Sequence, residues 1–256
     1  MNLKAVNIVL IAAICSLLLG CETAPSNNGS VYNETPLAAR ARSHTDLGAA
    51  YFQQGKLEIA LDEFNRAAEI DPSYAQAYNG LGLVYAALNQ DAQADANFKK
   101  AIKAQPTSSE SHNNYGSFLC THKRYDESIP HFLEAVKNPL YTTPNLAYAN
   151  AGICSARKND IKNAEVYLNK ALQIQPLTFS ATQALAEIQF KRGDATTAQK
   201  TLQNALIGSP SPETLWLGIR IARTLGDKDA EASYALQLRQ QYPNAEQTRL
   251  LLSGQK

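Results

Sequence analysis

One pattern of small, aromatic and proline residues recurs about every 34 residues between positions 41 and 245 of the chain. The first two copies set the register, with pairs that include Gly48 and Gly82, Phe64 and Phe98, and Pro72 and Pro106. A fixed period of this length is produced by stacked supersecondary units, because no single unit can bury its apolar face alone. The period therefore predicts a core that grows along a stack of repeats and not around one centre.

The order of residue types within each copy resembles the tetratricopeptide pattern, in which Leu-Gly, Tyr, Ala, Phe and Pro recur at fixed offsets. Six copies lie near residues 41–74, 75–108, 109–144, 145–178, 179–212 and 213–245. The third copy is lengthened, because residues 138–144 replace its closing proline, and residues 245–252 form a short amphipathic segment. The resemblance implies an all-α tetratricopeptide domain over 37–252, a right-handed superhelix of six helix-turn-helix repeats with a short C-terminal capping helix.

Each slot of the pattern has a physical role in a hairpin of two helices, A and B. Gly82 lacks a Cβ and lets helix A approach helix B closely, while Phe98 fills the space between neighbouring repeats. Pro106 ends helix B. Pro130 lies inside the predicted helix B of the third repeat, where we expect it to remove one backbone hydrogen bond and to bend the helix.

The N-terminus predicts secretion. Lys4 is followed by an apolar run from Ala5 to Leu19 that ends at Gly20 and Cys21. The run is shorter than the roughly 20 residues of a membrane-spanning helix, so residues 1–20 are interpreted as a cleaved signal peptide. The Leu-Leu-Gly-Cys segment resembles a bacterial lipoprotein cleavage box, which implies acylation of Cys21. The alternative is an ordinary secretory signal that leaves Cys21 as a thiol.

Residues 21–36 are interpreted as the lipidated cysteine and a tether, because their apolar content is too low to fold. A flexible chain of this length has a root-mean-square reach of roughly 20 Å. Glu22, not Asp, follows the cysteine, which in bacterial lipoproteins implies sorting to the outer membrane. The repeats would then face the periplasm.

Composition limits the function classes. The net charge is +1 and no basic tract is present, so we expect no nucleic-acid partner. The sequence lacks the motifs of nucleophilic hydrolases, phosphate-binding loops and zinc proteases. We therefore expect neither an enzyme nor a small-molecule substrate nor a cofactor, and the stacked helices favour protein binding.

Two cysteines are left after Cys15 departs with the signal peptide and Cys21 is acylated. Cys120 and Cys154 fall on neighbouring A helices, so a disulfide between them is predicted for an oxidising compartment. The alternative is a zinc site that also uses His122 and His131. The spacing disfavours metal, because Cys120 and His122 point about 200° apart around one helix.

The A helices line the concave surface in this family, so their outward positions are the candidates for partner contact. The predicted groove comprises Arg42, Thr45, Ala49, Phe52, Gln76, Asn79, Leu83, Asn113, Asn114, Ser117 and Asn150. Asparagines can donate and accept hydrogen bonds along a peptide backbone, while Phe52 and Leu83 offer an apolar floor. The Lys and Asn or Arg residues that form a carboxylate clamp in some chaperone-binding tetratricopeptide proteins are missing from the corresponding positions of this sequence. The alternative for about half of these residues is a solvated helix face.

Three longer runs sharpen the resemblance: residues 113–120 (NNYGSFLC), 148–154 (YANAGIC) and 215–223 (LWLGIRIAR). With the cleavage box and the six repeats, they resemble the type IV pilus biogenesis and stability lipoproteins, the pilotins of the PilF/PilW type. The resemblance implies an outer-membrane scaffold that binds the pilus secretin and promotes its localisation and multimerisation, hence pilus biogenesis and twitching motility. The alternative function is a scaffold for another envelope assembly, such as a cell-wall synthesis complex.

Overall fold

The computed structural model describes residues 35–206 and 209–254, and within these ranges it contains α-helices and one 3-10 turn but no strand. The helices are α1 (Pro36–Gln53), α2 (Leu57–Ile70), α3 (Ala75–Ala87), α4 (Asp91–Ala104), α5 (Ser109–Thr121), α6 (Tyr125–Ala135), α7 (Pro144–Arg157), α8 (Ile161–Ile174), α9 (Phe179–Lys191), α10 (Ala195–Leu202), α11 (Pro212–Leu225), α12 (Lys228–Gln241) and α13 (Glu246–Leu252). The signal peptide, Cys21 and the tether up to residue 34 lie outside the described residues.

The odd-numbered helices α1 to α11 are the A helices of six hairpins, and the even-numbered helices α2 to α12 are the B helices. Helices α3 to α12 pack in sequence, so that each B helix contacts its own A helix and the A helix of the next hairpin. The A helices α3, α5, α7, α9 and α11 also contact one another in order. Helix α13 packs against α11 and α12. The predicted all-α tetratricopeptide fold with a capping helix is confirmed.

Glycine and phenylalanine meet where two helices of a hairpin cross. An added Cβ on Gly82 would lie 2.7 Å from the ring of Phe98, closer than real Cβ contacts allow. Phe98 has no exposed surface and packs against Tyr115 and Phe118 of the next hairpin. Glycine therefore sets the spacing within a hairpin, and the ring it admits joins that hairpin to its neighbour.

The lengthened third repeat has a shorter B helix than the repeats on either side of it. Helix α6 has 11 residues, whereas the B helices α4 and α8 have 14 each. The helix is continuous across Pro130, whose ring faces solvent. The following segment 138–143 carries the chain to Pro144, which occupies the first turn of α7, a position where proline needs no backbone donor.

The helical stack begins before the first copy of the sequence pattern. Helix α1 starts at Pro36, ahead of position 41, because proline favours the first helical position and the following Leu37-Ala38-Ala39-Arg40-Ala41 segment has high helix propensity. Ala41 is fully buried and packs with Ala67 and Ala77. The first hairpin is thereby joined to the second near the N-terminal ends of their A helices.

Candidate partner-binding surface

A row of polar side chains runs across three consecutive A helices. The Asn114 amide donates to Asn79 Oδ1 at 3.2 Å, and the Asn150 amide donates to Asn113 Oδ1 at 3.1 Å. Ser117 lies beside them and donates to the Asn113 carbonyl at 2.9 Å. We call these five residues the asparagine row. All five are partly exposed, so each side chain keeps hydrogen-bonding capacity for a partner.

The apolar part of the predicted groove lies beside this row and is half-buried. Phe52 and Ala49 pack against the cluster around Phe64, and Leu83 packs against the cluster around Phe98. These side chains therefore contribute to the core and also present part of their surface. Thr45 lies on α1, and its hydroxyl is buried without a hydrogen-bond partner among the described atoms.

Two predicted groove residues lie apart from the asparagine row. Gln76 is at the start of α3 and its amide donates to Gln105 at 3.4 Å. It lines a polar cleft of about 260 Å³ together with residues 107–110, 138 and 140–142. Arg42 is exposed in the first half of α1. The structure thus brings the asparagines together and places Gln76 at the end of its helix.

The exposed surface of the A helices continues beyond Asn150 into a cleft that lies outside the predicted groove. Ile153 and Ala156 of α7 face Ala184 and Ile188 of α9 across a cleft of about 590 Å³. Charged residues rim it, namely Arg157, Glu187, Lys191 and Arg192. Ile153 and Ala156 occupy the same repeat positions as Leu83 and Ala86. The repeat alignment of the sequence is therefore a signal that predicts their place on the same surface.

A second cleft, of about 680 Å³, follows between α9 and α11 and is lined by Phe190, Arg220 and Arg223. The Arg220 guanidinium lies 4.8 Å from the Phe190 ring centroid and 3.4 Å from the Glu187 carboxylate. Arg223 pairs with Glu231 at 2.6 Å. Stacking and ion pairing hold these arginines in place, because a guanidinium binds both an aromatic face and a carboxylate.

A charge cluster joins the second hairpin to the third. Asp95 accepts hydrogen bonds from Tyr115 at 2.9 Å and from Arg124 at 2.7 Å, and it pairs with Lys99 at 2.6 Å. Burial raises the pKa of the Asp95 carboxyl, but the hydrogen bonds from Lys99, Arg124 and Tyr115 outweigh it and bring the pKa below its ordinary value. Arg124 also forms a two-point pair with Glu127. The cluster links adjacent hairpins electrostatically.

The two cysteines lie face to face on α5 and α7. Their Cα atoms are 5.9 Å apart and the sulfurs are in contact, a geometry that a disulfide requires. His122 and His131 bind other groups: His122 Nδ1 is 2.8 Å from the Phe118 carbonyl, and His131 Nδ1 is 2.8 Å from His112 Nδ1. Within the described part of the chain, no group of three or more possible ligands is placed to hold a metal ion.

The arrangement offers hydrogen-bonding amides, half-buried apolar side chains and anchored arginines along one succession of helices. Such a surface can hold an extended segment of another polypeptide through main-chain hydrogen bonds and side-chain pockets. Among residues 35–206 and 209–254, no helix has the length and apolar character needed to cross a bilayer.

Comparison with known proteins agrees with this architecture. Models of the tetratricopeptide repeat match residues 48–89, 75–108, 97–129 and 147–176. The type IV pilus assembly protein PilF of Pseudomonas aeruginosa is 31% identical over 229 residues, which cover 89% of this chain and 90% of PilF.

Two solved structures match over most of the chain. The structure of Pseudomonas aeruginosa PilF has a TM-score of 0.76 at 30% identity and covers 86% of this chain and 99% of its own. The crystal structure of PilW, a widely conserved type IV pilus biogenesis factor, has a TM-score of 0.74 at 30% identity. The match covers 83% of this chain and 98% of the PilW chain. The chain therefore belongs to the PilF/PilW family of tetratricopeptide-repeat proteins of type IV pilus biogenesis.

Proposed function

We propose that this chain is a pilotin: an outer-membrane lipoprotein, anchored through acylated Cys21, that binds the type IV pilus secretin and promotes its localisation and multimerisation. Family membership, with likeness to PilF over nine-tenths of both chains, is the observation that carries the proposal. In this proposal the repeats bind the secretin, and the lipid anchor localises the complex to the outer membrane. The short tether raises the local concentration of bound secretin subunits at the membrane.

The asparagine row is the proposed centre of the secretin contact. Its amides are aligned across α3, α5 and α7 by bonds between neighbouring hairpins. An extended secretin segment laid across these helices would exchange those bonds for main-chain hydrogen bonds. The half-buried Phe52 and Leu83 would receive its apolar side chains on one side, and the cleft around Ile153 would receive them on the other.

The test of this contact is Asn114→Arg, which places a long charged side chain in the middle of the row. Co-purification of the secretin from detergent-solubilised membranes should fall at least tenfold, because the bulk and charge block the aligned amides. Asn169→Arg, the same change on the exposed face of α8, is the matched control and should leave co-purification unchanged. Phe52 and Leu83 are less suitable, because aspartate there also disturbs the core.

The anchor is tested in the same experiment with Cys21→Ser. This variant should keep the helical circular-dichroism spectrum of the repeats but leave secretin subunits outside the outer-membrane fraction. Normal secretin multimers in that fraction would contradict escort by a lipidated scaffold. Equal co-purification by the Asn114→Arg and Asn169→Arg variants would move the contact away from the asparagine row.

A further inference from the structure

The two ends of the A helices α7 and α9 differ in charge. The turns that lead from these A helices and from α5 to their B helices are rich in charged residues. The turn 123–127 contains Lys123, Arg124, Asp126 and Glu127, and the turn 157–162 contains Arg157, Lys158, Asp160 and Lys162. By contrast, no charged residue occurs in 138–156 or in 171–186, which contain the turns that lead into α7 and α9. We call the side of the stack formed by 105–109, 138–146 and 175–180 the uncharged edge.

Large apolar side chains protrude from the uncharged edge. Leu140 is 84% exposed, Leu177 and Phe179 are each 52% exposed, and Leu146 is 44% exposed. A cleft lined by Thr142, Thr143, Leu146, Leu177 and Phe179 connects the last three, and Thr142 also lines the neighbouring cleft that contains Leu140. The four side chains therefore form one patch. Exposed apolar groups grouped in this way indicate a surface that is covered in use.

The N-terminal segment of the chain joins the repeats on this same edge. Gly48 of α1 and Gly80 of α3 both face the ring of Phe64, and Ala41 packs near Ala77, so α1 and α3 run in the same direction. The start of α3, marked by Gln76, lies in the cleft with residues 138 and 140–142 of the uncharged edge. The chain consequently passes into α1 at Pro36 on that edge, where Leu37 is 52% exposed.

We infer that the uncharged edge lies against the bilayer surface that holds the acylated Cys21. The inference rests on the proposed lipid anchor. The segment 22–35 separates Cys21 from α1. The composition of this segment predicts a tether, and a tether of this length would place its ends roughly 20 Å apart. The edge where the chain joins α1 is therefore held near the membrane. It carries protruding Leu and Phe side chains that can enter the interface, and the charged residues Glu110, Glu134 and Lys137 line the clefts at its border.

The orientation leaves the proposed secretin contact open. Helices α3, α5 and α7 would point their N-terminal ends at the bilayer, and the asparagine row lies on the sides of these helices. The charged turns 123–127 and 157–162 would project into the aqueous phase. Individual apolar side chains bind membranes weakly, so the patch orients a protein that the acyl chains already hold.

Tryptophan fluorescence in vesicles tests the contact on the full acylated protein. Trp216 is the sole tryptophan, so Trp216→Phe provides a silent background for Leu140→Trp. In vesicles of phosphatidylethanolamine and phosphatidylglycerol with brominated acyl chains, Leu140→Trp emission should be quenched at least twofold. The matched control is Leu225→Trp, at the C-terminal end of α11, where the leucine is 38% exposed. Its emission should be unchanged.

Hydrogen exchange provides a second measurement that needs no substitution at Trp216. The amides of 138–146 should exchange more slowly in the acylated protein on vesicles than in Cys21→Ser protein mixed with the same vesicles, while 121–127 should exchange equally in both. Equal exchange at 138–146, or equal quenching at Leu140→Trp and Leu225→Trp, would overturn the inference. Shielding of Leu140→Trp from acrylamide without quenching by brominated lipid would also overturn it and would assign the edge to a protein partner.

These experiments can reject the lipid anchor and the membrane contact of the uncharged edge independently. Flotation of the acylated protein with vesicles, and loss of flotation in Cys21→Ser, supports the anchor whatever the quenching shows. A floating protein whose Leu140→Trp is not quenched would reject only the membrane contact of the edge. Flotation that does not depend on Cys21 would reject the anchor.

Discussion

At the residue scale, a single atom decides how closely two helices approach. Gly82→Ala would place a Cβ 2.7 Å from the ring of Phe98, which has no exposed surface. Alanine improves helix propensity by about 1 kcal/mol, but overpacking a filled core costs about 1–3 kcal/mol. We therefore expect a net fall of about 1 kcal/mol in the free energy of unfolding, measured by urea titration with circular dichroism.

Gly218→Ala provides the comparison for that prediction. Its new Cβ would lie 3.1 Å from the ring of Tyr234, a half-buried side chain that can shift toward solvent. The gain in helix propensity should offset the contact, and the urea midpoint should stay within error of the unsubstituted protein. A Gly82→Ala protein as stable as Gly218→Ala would mean that Phe98 does not set the helix spacing.

At the element scale, the A and B helices of the third hairpin are joined by a histidine pair whose stability depends on pH. His112 donates from Nε2 to the Pro106 carbonyl at 3.0 Å, so its Nδ1 accepts from His131 at 2.8 Å. Burial lowers the pKa of His131, and the electrostatic interaction with His112 lowers it further, although Glu127 and Glu134 act in the opposite direction. The native pair therefore favours a neutral His131.

The sign of the pH effect follows from that lowered pKa. The unfolded state binds the proton at the ordinary value of 6.5, so between that value and the lower native pKa it binds more protons than the folded state. The free energy of unfolding should fall as the pH drops from 7 to 5. His131→Gln should reduce the slope, whereas His122→Gln, which leaves the pair intact, should keep it. Equal slopes in the two variants would refute this source of acid sensitivity.

Sequence periodicity predicts the elements well but their relative placement less well. The hairpins follow from residues such as Gly82 and Phe98, whose spacing repeats along the chain. The start of α1 at Pro36 precedes the repeating pattern, so periodicity alone does not reveal it. The cleft between α9 and α11 depends on Arg220 stacking on Phe190, a pairing between residues of different repeats that only the packed helices display.

For the proposed binding surface too, the sequence predicts the helix face of a residue better than its contacts. Repeat position predicts a shared surface for Asn79, Asn113, Asn114 and Asn150. The structure aligns them because equivalent positions of stacked hairpins lie side by side. The same rule applies to Gln76, yet this side chain reaches the turn at Gln105, because a long side chain near a helix end can bond outside its own row. Repeat position predicts which helix face a residue occupies, but not its hydrogen-bond partner.

At the scale of the whole molecule, a stack of hairpins is stabilised mainly by contacts between neighbours, so the loss of a cross-link at one junction can divide it. The junction after the third hairpin has a short helix α6 and the connecting segment 138–143. Cys120 and Cys154 face each other across it, with Cα atoms 5.9 Å apart. We propose that a disulfide there holds the two halves of the stack in one cooperative unit.

Removal of the proposed disulfide should therefore change how the molecule unfolds as well as how stable it is. The sequence separation is 34 residues, for which the chain-entropy model gives a stabilisation of roughly 4 kcal/mol. Cys120→Ala combined with Cys154→Ala should lower the urea midpoint and split one transition into two, because each half then unfolds alone. Unsubstituted protein treated with dithiothreitol should follow the curve of the variant. Two reactive thiols in unreduced, unfolded mature protein, or a variant that unfolds like the oxidised protein, would show that the junction is held by packing alone.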